Sequence, residues 1–67
     1  MKKILRKKEV REITGLGDTT LWRLEKMGKF PARLRLGGGA VGWIADEVEG
    51  WIEEKAAERH EPAAAAG

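Results

Sequence analysis

Thr19, Trp22, Arg23 and Lys26 sit in the short stretch "DTTLWRLEKM". With Asp18 at zero and steps of about 100° per residue, these four fall between roughly 40° and 140° on a helical wheel, whereas Leu21, Leu24, Thr20, Met27 and Gly28 fall between roughly 180° and 300°. One outward face would then carry a hydroxyl, an indole and two cations. Those groups suit a polyanion: Arg pairs bidentately with guanine, Thr donates to phosphate or meets a thymine methyl, and Lys neutralises phosphate. Trp22 lies beside Arg23 because both point away from the core. A second reading folds the Trp22 ring over a neighbouring hairpin as a satellite of the core.

Catalytic chemistry has no comparable footing. The chain holds no Cys and a single His, His60, and it has no Ser/His/Asp set. Its glycine run "GGGA" lacks the GxxxxGK[ST] spacing of a phosphate loop. No enzyme activity, metal site, cofactor or small-molecule substrate is expected. His60 is read as a tail residue without a role.

Charge supports the polyanion reading. Over the 67 residues the net charge is only +2, yet residues 1–36 carry eleven Lys/Arg against four Asp/Glu, net +7, and residues 37–67 carry two against seven, net −5. One basic half therefore faces a candidate polyanion, with Lys7 and Lys8 before the first apolar repeat and Arg33 and Arg35 after Pro31 as phosphate contacts.

Three helices and a hairpin must position these groups. Val10 and Ile13, continued by Leu16, repeat at helical spacing and predict a helix over 7–13 that ends near Gly15. The second helix lies between Gly17 and Gly28, with Asp18 as N-cap, Gly28 as a left-handed terminal residue and Pro31 blocking continuation. In "ARLRLGGGAVGWI" the alternation of Leu34 and Leu36 with Arg33 and Arg35, then three glycines, predicts a β-hairpin over 32–44. A third helix is expected from Asp46, paired with Glu49 as a capping box, burying Val48, Trp51, Ile52 and the stem of Lys55; Gly50 within it costs about 1 kcal/mol relative to Ala. Trp43 and Trp51 are core candidates.

A chain this small supports one thin-cored domain, here residues 4–59, followed by a flexible Ala-rich tail over 60–67. "MKKILRKKEVREI" has no uninterrupted apolar stretch of the signal-peptide kind, and no segment approaches the roughly 18 to 20 apolar residues of a membrane span. A soluble, cytoplasmic protein without a membrane partner is expected.

The order "TGLGDTTLWRLEKMGKFPARLRLGGGAVGWIADEVEGWIEEK" resembles the AlpA family of small phage-type transcriptional regulators, related to the MerR-like winged helix-turn-helix of excisionases. The resemblance covers about residues 4–59 and rests on "TGL", "TTLWRL", "GKFP", "LGGGAVGW" and the acidic-start helix with Trp51 and Ile52. It implies an α+β fold, a small winged helix-turn-helix of three helices with a two-stranded β-hairpin wing between the second and third. It also implies DNA binding, with Thr19, Thr20, Trp22 and Arg23 on or beside the recognition helix; the wheel assigns Thr20 to packing. Three positions depart from the family pattern. Gly17 stands where Ser commonly opens the recognition helix, Gly39 where the wing reads "GGRAVGW", and Lys7 where an apolar residue is frequent.

The expected function is sequence-specific binding of double-stranded DNA as a phage or mobile-element regulator, with helix 18–27 in the major groove and the 32–44 wing on phosphates. Affinity for a short site favours a homodimer or a cooperative array. Two related roles use the same contact: a recombination directionality factor of the excisionase kind, and the DNA-recognition domain of a phage terminase small subunit.

Overall fold

The computed structural model describes residues 1–59. The proposed tail over 60–67, His60 included, lies outside the described residues. In chain order the elements are β1 (Ile4–Arg6), α1 (Lys7–Thr14), α2 (Asp18–Lys26), β2 (Leu34–Gly37), β3 (Ala40–Ile44) and α3 (Ala45–Glu58). The expected three helices and hairpin are all present, and the hairpin is extended by β1 into a three-stranded antiparallel sheet of order β1-β3-β2.

β1 pairs with the central strand in the register Ile4↔Ile44, Leu5↔Trp43 and Arg6↔Gly42. Alternation sends Leu5 and Trp43 to the buried face, where they are 6% and 0% exposed. Gly42 occupies the crowded middle: a Cβ there would lie 2.5 Å from Ile4 Cγ2 and 3.1 Å from both Leu36 Cδ1 and the Leu5 carbonyl. Only a residue without a side chain lets β1 and β2 flank β3 this closely.

α1 begins with the Arg6 amide donating to Glu9 Oε1 at 2.9 Å and ends at Gly15, whose amide donates to the Arg11 carbonyl at 2.8 Å. Val10 is fully buried and Leu16 packs against the core, but Ile13 is 51% exposed. Its place on the buried face is therefore corrected. It stands at the last turn of α1, where the chain is already leaving the core for Gly15.

α2 is capped differently from the expectation. Gly17, in extended backbone geometry, is the N-cap, and Asp18 is the first helical residue and makes no capping bond. Its carboxylate turns instead to α1, 3.8 Å from Lys7 Nζ and 3.7 Å from Arg11 Nε. The other end behaves as predicted. Gly28 has φ +73°, its amide donates to the Glu25 carbonyl at 3.0 Å, and the Lys29 amide donates to the Leu24 carbonyl at 2.8 Å. These two bonds form a Schellman motif, which requires the left-handed residue. That turn ends the helix before Met27, which the wheel had placed inward and which is 51% exposed.

Phe30, directly after this turn, is 5% exposed and meets Trp51 edge-on with ring centroids 4.9 Å apart. The core joins it to Leu5, Val10, Leu21, Trp43, Ala45 and Val48, with Trp51 and Ile52 packed at the margin. Trp43 and Trp51 thus both belong to the core region. α3 starts one residue before Asp46, with Ile44 as N-cap and no side-chain capping bond. The anticipated Asp46/Glu49 box is replaced by a backbone bond, in which the Ala45 amide donates to the Lys3 carbonyl at 2.8 Å. The segment before β1 thereby satisfies a donor that α3 would otherwise leave open.

Candidate nucleic-acid interface

The outward face of α2 carries the residues that the wheel assigned to it. Thr19, Trp22, Arg23 and Lys26 are all exposed, Thr20 and Leu24 are partly buried, and Leu21 on the opposite side is fully buried. Trp22 is 53% exposed and is not among the residues packed on the core. Lys26 Nζ stands 4.4 Å from the centroid of its ring. The indole therefore holds a cation in place on the helix surface, in the geometry of a cation–π contact.

Charged contacts stand at both ends of this helix. At its start, Asp18 faces Lys7 and Arg11 of α1 in two half-exposed pairs, which place an acidic group in the first turn of α2 and add little to its hold on α1. At its end, Glu25 receives Arg33: Nε donates to Oε1 at 2.9 Å, Nη2 donates to Oε2 at 2.8 Å, and the Arg33 amide reaches Oε1 at 3.3 Å. The same guanidinium lies 5.0 Å from the Trp43 ring centroid. Its hydrogen bond to Glu25 raises the Arg33 pKa above the ordinary arginine value, so the group stays charged.

The eight residues singled out by sequence thus fall into four settings. Thr19, Trp22, Arg23 and Lys26 form one exposed face, and Lys8 on α1 and Arg35 on β2 are exposed cations. Lys7 is partly covered and faces Asp18, so its charge is shared with a carboxylate. Arg33 has its polar end turned to Glu25, with its side chain 24% exposed. Arg11, Asp18 and Glu25 pair with charged groups at the two ends of α2, and sequence did not identify these pairings. Their pairings cross between elements, and the only local hint was Asp18 at a helix start.

The wing tip is formed by Gly37, Gly38 and Gly39, with φ of +106°, +59° and +82°. A register irregularity between Arg35 and Gly37 precedes it. Arg6 braces the other side of the wing, its Nε donating to the Val41 carbonyl at 3.2 Å. No helix among the described residues is long and apolar enough to cross a membrane, and no group of three or more His, Cys, Asp or Glu among them could hold a metal ion.

A helix-turn-helix followed by a glycine-tipped wing, with Arg23 and Lys26 on the outward face of the second helix, defines a small winged helix-turn-helix domain. Residues 3–56 match the family of the prophage CP4-57 regulatory protein (AlpA), and the chain belongs to that family. It is also similar to the "Uncharacterized protein ORF88" of Enterobacteria phage P4, with 37% identity over 57 residues, covering 85% of this chain and 65% of that protein. The chain therefore spans about two thirds of the length of this phage relative.

Proposed function

We propose that this chain is a sequence-specific regulator of transcription that inserts α2 into the major groove of double-stranded DNA. The exposed face of Thr19, Trp22, Arg23 and Lys26, directly opposite the fully buried Leu21, is the observation that carries the reading. Arg23 supplies the base contact, since a guanidinium matches the two acceptors of guanine. Lys8 and Arg35 hold phosphates on either side, and Lys7 adds a weaker contact because Asp18 competes for it. Arg33 acts indirectly, by fixing the wing base to α2 through Glu25. Family membership and the basic charge of residues 1–36 support the same conclusion.

The test is selection of bound sequences from a random pool of double-stranded DNA, followed by affinity measurement on the enriched site. One short motif should emerge, and Arg23→Ala should flatten preference at one or two of its positions. If no motif is enriched above the starting pool, sequence-specific reading is wrong.

A further inference from the structure

The outer side of α3 takes no part in the DNA-reading face. Glu47, Gly50, Trp51, Glu54 and Lys55 recur along it at spacings of three and four residues, the signature of one helix face. With Leu34 and Ile44 they line an open groove of about 850 Å³. Trp51 is a rigid wall of this groove, because its indole N–H donates to the Lys29 carbonyl at 2.7 Å and its ring is held against Phe30.

Gly50 is the unusual residue of this face. Glycine is a poor helix former in the middle of a fourteen-residue helix. Nothing inside the chain calls for it, since a Cβ at this position would meet no atom within 4 Å. Its bare backbone would instead admit a neighbouring helix at close range. Charge points to what that neighbour is. Glu47 and Glu54 are exposed and have no ion-pair partner among the described residues, while Lys55, which lies 3.5 Å from Glu58 Oε2 and 5.7 Å from the Trp51 ring centroid, offers the opposite sign on the same face.

We propose that this face is a self-association surface, on which α3 packs antiparallel against α3 of a second copy of the chain about a two-fold axis near Trp51. Glu47 and Lys55 stand four residues to either side of Trp51. An antiparallel crossing at that residue places Glu47 opposite the partner's Lys55, and symmetry repeats the pair. The complement is confined to the Glu47/Lys55 pair and its symmetry mate, for which Lys55 must turn from Glu58 of its own chain, and Glu54 falls opposite Val48 rather than opposite like charge. Gly50 lets the helices approach, and Trp51, Leu34 and Ile44 supply the apolar surface to be covered.

Association of this kind needs no DNA, so it can fail or succeed independently of groove reading. The experiment is sedimentation equilibrium of the full chain without DNA, over a range of concentrations, for the parent, Gly50→Gln, Glu47→Lys, Lys55→Glu and the double charge reversal. The parent should show a concentration-dependent dimer. Gly50→Gln should raise the dissociation constant by roughly tenfold or more without lowering the melting temperature, because Gln fits the open position and favours the helix. Each single reversal should weaken the dimer, and the double reversal should return it to within about threefold of the parent. Should Gly50→Gln melt below the parent, the charge series decides alone. A parent that stays monomeric up to millimolar concentration, a well-folded Gly50→Gln dimer as tight as the parent, or a double reversal no tighter than the singles overturns the proposal.

Discussion

Glu25 and Arg33 are joined by two parallel charge-assisted hydrogen bonds of 2.9 and 2.8 Å, so that the last turn of α2 and the base of the wing are held as one unit. The two side chains are 10% and 24% exposed, which removes much of the solvent screening that weakens surface pairs. A plane of Trp43 lies against the guanidinium and restricts it further. The orientation of α2 relative to the wing thus depends on this pair.

Arg33→Ala should lower unfolding free energy by about 1 to 3 kcal/mol, because it strands a largely covered carboxylate and uncovers one face of Trp43. Glu25→Gln should cost less, since the amide retains an acceptor for the guanidinium. Chemical denaturation of both variants and their double should give a coupling of at least about 0.5 kcal/mol. Independent, additive effects would show that the pair does not couple helix to wing.

The outward face and the core face of α2 should separate in measurement. Arg23→Ala is expected to leave the melting temperature almost unchanged and to weaken binding to the selected site by about 1 to 3 kcal/mol. Leu21→Ala, at a position with no exposure, is expected to destabilise the fold by about 2 to 5 kcal/mol. Equal stability losses in the two variants would mean that Arg23 is a packing residue and not a base contact.

What could be read from sequence follows the range of the interactions. The outward face of α2 and the Gly28 turn were legible because each is set by residues within one or two turns of helix. β1 was not: "ILR" is three residues long and flanked by lysines, and its partner strand lies some forty residues away in the pairing Ile4↔Ile44. Phe30 stands alone between Lys29 and Pro31, outside any periodic pattern, so its burial depends wholly on Trp51 and the core. Asp18 looked like a cap, and only the position of α1 shows that Lys7 and Arg11 attract its carboxylate. Arg33 looked like a free cation for the same reason, since Glu25 reaches it across a turn.

Close strand packing at Gly42 gives a further expectation. Gly42→Ala should destabilise the fold by about 1 to 3 kcal/mol, because the new methyl must displace Ile4 or spread the sheet. Ile4→Ala in the same chain removes the Cγ2 atom at 2.5 Å and should make the double variant more stable than additivity predicts. Thermal melting of the two singles and the double checks this. A strictly additive double would show that Ile4 is not what excludes a side chain at this position.

Gly39 offers a test of the wing itself, because the resembled pattern carries Arg where this chain has Gly. A side chain at Gly39 finds open space, with no atom within 4 Å of an added Cβ, but the residue has φ +82°. That backbone geometry costs a non-glycine residue on the order of 1 kcal/mol. Gly39→Arg should therefore melt slightly below the parent while placing a cation at the wing tip. If the tip lies along the phosphate backbone, one added contact should steepen the dependence of log affinity on log salt by about 0.9 and raise affinity at low salt. Arg35→Ala, which removes an exposed cation from β2, should shallow the same slope by a similar amount. Affinity for the selected duplex, measured at several salt concentrations beside the melting curves, separates the electrostatic gain from backbone strain. A folded Gly39→Arg variant whose salt slope and affinity equal those of the parent would mean that the glycine tip stays clear of DNA, and the wing would then have to be assigned to packing alone.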